Sequence, residues 1–81
     1  PVLLLQGDTD RQVTAEQAEL LAAAFREGGN RAVEVKRFAD LNHLFLRDPS
    51  GDPVGYSRLA DTAVPAEVLD TIATWLRPRL R

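Results

Sequence analysis

The 81 residues contain no cysteine and no methionine, and a single histidine, His43. Without thiols there are no disulfide staples and no thiolate-bound metal. Without a methionine, and with Pro1-Val2 at its start, the chain is expected to be excised or processed from a longer product. Aromatics are few: three Phe, one Tyr and one Trp. Neither sign of charge dominates, with ten basic and twelve acidic residues and a net charge of −2. That balance gives no footprint for nucleic acid. The one basic cluster, Arg77, Arg79 and Arg81, reads as a solvated helix end, where the dipole favours cations. No apolar run approaches the about 20 residues that a membrane-spanning helix needs, so no membrane partner is expected. No signal peptide, internal repeat or low-complexity tract is visible, and the compartment stays undetermined. A chain of this length buries only about 60% of its unfolded surface and is marginal alone.

What is present is an alternation of strand and helix patterns. Val2-Leu3-Leu4-Leu5 is a short unbroken apolar run ahead of Gly7, which predicts a parallel strand buried on both faces. Thr14 and Gln17 have capping-box spacing, with Thr14 at the N-cap of a helix over about residues 15–27. Its core stripe is Ala18, Leu21, Ala22 and Phe25, and Gly28-Gly29-Asn30 supplies the positive-φ residues that stop it. Residues 32–38 alternate through Val33, Val35 and Phe38, a strand nearer a sheet edge. Strand, helix and strand make a βαβ unit with parallel strands. Residues 47–63 show no period, and a loop of that length is expected to be functional or draped over a site. Pro65 fits the first position of a last helix, with Val68, Leu69, Ile72, Trp75 and Leu76 as its stripe and Pro78 as its stop.

Two strands do not make a sheet protein. The all-apolar first strand expects a neighbour on its other edge, so further strands are expected before Pro1 or on a partner chain. In open parallel sheets, sites form beyond the carboxyl ends of the strands. Asp8 and Asp10 follow the first strand and His43 follows the second, on the same edge. An Asp-His pair there is a candidate orienter and base.

Gly7-Asp8-Thr9-Asp10-Arg11-Gln12-Val13, after an apolar strand, resembles the G-x-x-D-x-x-V segment of α/β-hydrolases. Leu41-Asn42-His43-Leu44-Phe45, some thirty residues on, resembles the loop that carries the histidine in that family. Acid before base is also the family's order, and the Trp75-Leu76 end of the last helix is similar too. The resemblance is nearest to the dienelactone-hydrolase and prolyl-oligopeptidase-like branches, including small-ester carboxylesterases. Thr14 departs from it where Pro often follows the Val, and Asn42 departs where Gly is commoner before the His.

The resemblance implies an α/β fold. Residues 1–81 would be the C-terminal β-α-β-loop-α portion of a three-layer α/β/α hydrolase domain, without its N-terminal strands and nucleophile elbow. It implies Asp10 as the triad acid, His43 as the base, no cofactor and no metal. The implied reaction is acyl transfer on a carboxylic ester or, as the alternative, a short peptide. The nucleophile is expected elsewhere in the hydrolase domain, because Ser50 and Ser57 sit in the irregular loop and neither lies in G-x-S-x-G.

Two other functions compete. Asp8-Thr9-Asp10 reads as a magnesium-dependent phosphotransfer motif only if Gln6-Gly7 is ignored, and it gives His43 no task. A non-catalytic module keeping the hydrolase frame for binding stays open. Other residues have structural readings: Asp8 as a turn cap, Asn42 as the shaper of the His loop, and Leu44 and Phe45 as core or pocket wall. Tyr56 reads as a loop anchor, and Trp75 and Leu76 as packing. Asp48, Asp52 and Asp61 lack EF-hand spacing and read as turn residues.

Overall fold

The computed structural model describes residues 1–80. Arg81, grouped above with Arg77 and Arg79, lies outside the described residues. The elements are β1 (Val2–Gly7), α1 (Glu16–Glu27), β2 (Val33–Phe38), a short 3₁₀ helix (Pro53–Arg58), α2 (Ala66–Leu76) and a closing 3₁₀ turn (Arg77–Arg79). β1 and β2 pair in parallel, in register from Val2 opposite Val33 to Gly7 opposite Phe38. The apolar-run and alternation patterns thus predicted both strands, and the crossover through α1 their parallel direction. With β2 as its one partner among the described residues, β1 is half-buried from Leu3 to Leu5 rather than enclosed on both faces.

α1 starts differently from its sequence pattern. The capping box does not form: Ala15 already has helical angles and no side chain caps the helix. Gln17 N–H instead bonds the Thr14 carbonyl at 2.9 Å, and Ala18 N–H the Ala15 carbonyl at 3.3 Å. These i→i+3 main-chain bonds satisfy the first donors without the hydroxyl. Glu16 lies below its ordinary pKa because its own backbone N–H, and then the Thr14 hydroxyl, bond its carboxylate. The far end is a Schellman motif, as the glycines foretold: Asn30 N–H bonds the Phe25 carbonyl and Gly29 N–H the Arg26 carbonyl, with Gly29 at φ +96°.

The core is small. Phe38, Leu41 and Val68 form its buried centre, with Leu5 and Phe45 packed against it and Phe45 edge-on to Phe38. α2 therefore reaches the sheet end through Val68. Pro65 is its N-cap rather than its first helical residue. A sequence stripe records which side of a helix is apolar but not how much of it finds cover. Ala18, Ala22 and Val68 are buried, whereas Leu21 and Leu69 are about half exposed.

The irregular stretch after β2 is the part least legible from its residues. It contains the 3₁₀ helix at Pro53–Arg58, capped by Asp52, whose carboxylate accepts from Val54 N–H at 3.0 Å. Two turns of 3₁₀ helix are too short to carry a readable period. The stretch drapes over the loop that follows β1, as its length led us to expect. Thr9 Oγ1 donates to the Asp48 carbonyl at 2.6 Å, and Tyr56 Oη donates to Gln12 Oε1 at 2.8 Å.

Candidate active site

Gly7 ends β1 at a point where only glycine fits. A Cβ there would fall 2.7 Å from the Asn42 carbonyl oxygen and closer still to that of Leu41. The main chain after β1 therefore lies directly on the chain after β2. Asp8 N–H bonds the Phe38 carbonyl and Thr9 N–H the Leu41 carbonyl, at 2.8 and 3.1 Å. Backbone bonds thus tie the two loops at the carboxyl edge of the sheet, before any side chain joins them.

The acid loop next turns its second aspartate inward. Asp10 is 8% exposed. Its Oδ1 accepts the backbone N–H groups of Gln12 and Val13 at 2.9 and 2.8 Å, and its Oδ2 lies 2.9 Å from His43 Nδ1. Burial alone would raise the Asp10 pKa. The Val13 amide, the His43 ring and the Gln12 amide outweigh it and hold the carboxyl below its ordinary 3.8. An ionised carboxylate only accepts. Nδ1 of His43 must then carry hydrogen, and the neutral ring keeps its lone pair on Nε2.

His43 rides on a tight turn closed by an antiparallel bridge between Leu41 and Arg47. Asn42, fully buried, fills its centre. The Asn42 Oδ1 accepts from Leu44 and Leu46 N–H at 2.9 and 3.1 Å, and its Nδ2 donates to the buried Asp48 at 3.2 Å. Asn42 thus shapes the His loop as its position suggested. Phe45 takes a left-handed φ of +60°, uncommon for a bulky residue and of the kind that persists where neighbours over-determine it. Its N–H closes the turn on the Asn42 carbonyl at 3.0 Å. Phe45 lines a hollow of about 210 Å³ with Leu5, Gln6, Gly7, Asp10, Val13 and His43. Leu44 projects outward instead, 47% exposed, so it is neither core nor pocket wall.

The structure therefore brings Asp10 and His43 together and sets Asp8 apart. Asp8 does not cap its turn; its Oδ1 pairs with Arg37 Nε at 2.6 Å. That pair lies at the surface, where solvent screens it. Spacing could not show it, because the partners are 29 residues apart and meet through strand register. Ser50 and Ser57 are exposed, and neither bonds His43 among the described residues. Asp52 and Asp61 bond turn N–H groups. No cluster of metal-ligating side chains occurs among the described residues. Sequence reasoning missed Gln6, buried beside Asp10. A polar residue closing an otherwise apolar strand was the available signal.

The depressed carboxyl has a consequence for stability. A lowered folded-state pKa adds stability that is complete above the unfolded value and is lost as the pH falls through the folded value. Asp10→Asn should therefore cost Tm above about pH 5, and the gap to the unmodified protein should close as the pH drops towards 3. Thermal melts across that range check it; a gap that widens in acid contradicts the assignment.

The chain is an α/β-hydrolase-like segment, and the family match is what shows it. It belongs to the prolyl oligopeptidase family, whose model matches residues 1–61 and so spans both strands, the acid loop and the His loop. Of the two substrate expectations the match supports the peptidase side. No curated protein and no solved structure matches the chain.

Proposed function

We infer that the chain supplies the acid and the base of a Ser-Asp-His hydrolase that cleaves peptides by acyl transfer. Asp10 is the acid and His43 the base, and the serine comes from another part of the catalytic domain of which these 81 residues are the C-terminal portion. The observation that carries the reading is the 2.9 Å bond between Asp10 Oδ2 and His43 Nδ1. It leaves Nε2 as the basic nitrogen of a ring whose side chain is 38% exposed, the arrangement a general base needs. Among the described residues, that ring makes no other hydrogen bond.

In the reaction, Nε2 takes the serine proton as the hydroxyl oxygen attacks the substrate carbonyl. The carbonyl oxygen becomes an oxyanion, held by backbone N–H groups outside this chain. His43, now imidazolium, gives its proton to the leaving amine as the C–N bond breaks. Water repeats the sequence on the acyl-enzyme, and serine leaves with the proton. Asp10 stays ionised, fixes the ring's tautomer and stabilises the imidazolium. Carboxylic esters would pass through the same steps with an alcohol as the leaving group.

A fluorophosphonate probe on the full-length protein tests this. It should label one serine in the unmodified protein, with labelling lost in His43→Ala. Labelling that is absent from the start, or indifferent to His43, would sink the reading and favour a binding module. Turnover of a peptide p-nitroanilide against a p-nitrophenyl ester separates the two substrate classes.

A further inference from the structure

We propose that Gln6 is the positioning residue of the acid: its side-chain amide holds Asp10 Oδ2, the same oxygen that takes the His43 proton, and ties the acid loop around it. The proposal rests on Asp10 and His43 being acid and base.

β1 reads Val-Leu-Leu-Leu and then, at its most buried end, Gln. Gln6 is 7% exposed, and burying a primary amide is costly unless it is bonded. Its Nε2 meets three oxygens: the Val13 carbonyl at 2.9 Å, the Gly7 carbonyl at 3.2 Å and Asp10 Oδ2 at 3.3 Å. Turning the amide over would set its own oxygen against all three, so the NH₂ group must face them. Gly7 and Val13 are the two ends of the acid loop. One side chain thus spans the mouth of the loop and also bonds the carboxylate that the loop carries.

This completes the restraint of Asp10. Gln12 and Val13 N–H fix Oδ1, and Gln6 and His43 share Oδ2. With every donor in place the carboxylate plane cannot rotate, and His43 meets one defined lone pair. The donor from Gln6 also draws charge from Oδ2, moderating how strongly that oxygen holds the imidazolium. The other ionisable group facing the pair is Tyr56, on the first 3₁₀ helix, whose hydroxyl lies against the His43 backbone. Asp48 reaches the His loop only through Asn42, and Arg11 turns away to Asp52.

The test is the pH profile of kcat/KM in the full-length enzyme. Gln6→Met keeps the length and removes the donor. Its acid limb should move up by about half a pH unit, because an undivided Oδ2 stabilises the imidazolium more. Its kcat should fall about tenfold, with KM within about twofold of the original. A residue that only packs would lower Tm and leave the limb in place. Where Gln6→Met does not fold, the unmodified protein supplies the second readout: the Gln6 side-chain amide resonances should follow the His43 titration, and should not do so in Asp10→Asn. An unmoved limb, or amide resonances indifferent to His43, in an enzyme that Asp10→Asn inactivates overturns the role of Gln6 alone. An enzyme that Asp10→Asn leaves fully active overturns both this role and the triad.

Discussion

Asp10→Asn should lower kcat/KM by about ten-thousand-fold while leaving the fold intact. The size follows from the hydrogen-bond census around the carboxylate. Two backbone N–H groups, from Gln12 and Val13, point at Oδ1. An asparagine must give them its carbonyl oxygen, since its NH₂ would face two donors. Its NH₂ then occupies the place of Oδ2 and donates to His43 Nδ1. The ring responds by moving its hydrogen to Nε2, and a nitrogen that carries hydrogen cannot take the serine proton. The same NH₂ meets the Gln6 amide, donor against donor, so the local cost is real but confined to one contact. Steady-state kinetics on a peptide substrate, with near-native circular dichroism as the check on folding, measures the effect. A loss of less than about tenfold would mean that Asp10 does not set the tautomer.

Gly7→Ala should be the most damaging change to the frame itself. The added methyl meets carbonyl oxygens of Leu41 and Asn42, which are main chain and cannot swing aside as a side-chain tip does. Either β1 or the His loop must shift, and overpacking of this kind costs about 3 kcal/mol. A shift of either element moves Asp10 and His43 relative to each other, so the loss extends to chemistry. A misplacement near 1 Å is enough for about a hundredfold in kcat/KM. Gly55→Ala is the matched control, because nothing lies within 4 Å of a Cβ there, and it should be close to neutral in both measurements. If the two substitutions behave alike, the close approach of the loops is not what places His43.

Much of this was legible in the residues. Val2–Leu5 and the alternation through Phe38 gave two strands because the apolar period is itself a consequence of the pleat. The glycines after Glu27 gave a helix stop because few residues other than Gly tolerate the left-handed angle of a Schellman end. Parallel strands deliver their following loops to one edge, which put Asp8, Asp10 and His43 together, and the resemblance to the hydrolase G-x-x-D segment singled out Asp10. Asp8 was misread as a turn cap, and Thr14 as a helix cap. In both, a residue with a plausible local partner found a different arrangement once the chain had folded.

The sequence by itself determined the order of elements, the parallel pairing and the edge on which Asp10 and His43 would meet. These follow from local rules of period, turn and crossover. The tertiary structure decided which oxygen of Asp10 faces His43, why glycine must stand at position 7, how Asn42 builds the His loop and that Gln6 reaches Asp10. The first two depend on the packing of one loop on another, and the last two on irregular turns that set residues four to seven apart within hydrogen-bond reach. Neither loop packing nor an irregular turn leaves a period to read, so only the folded chain discloses them.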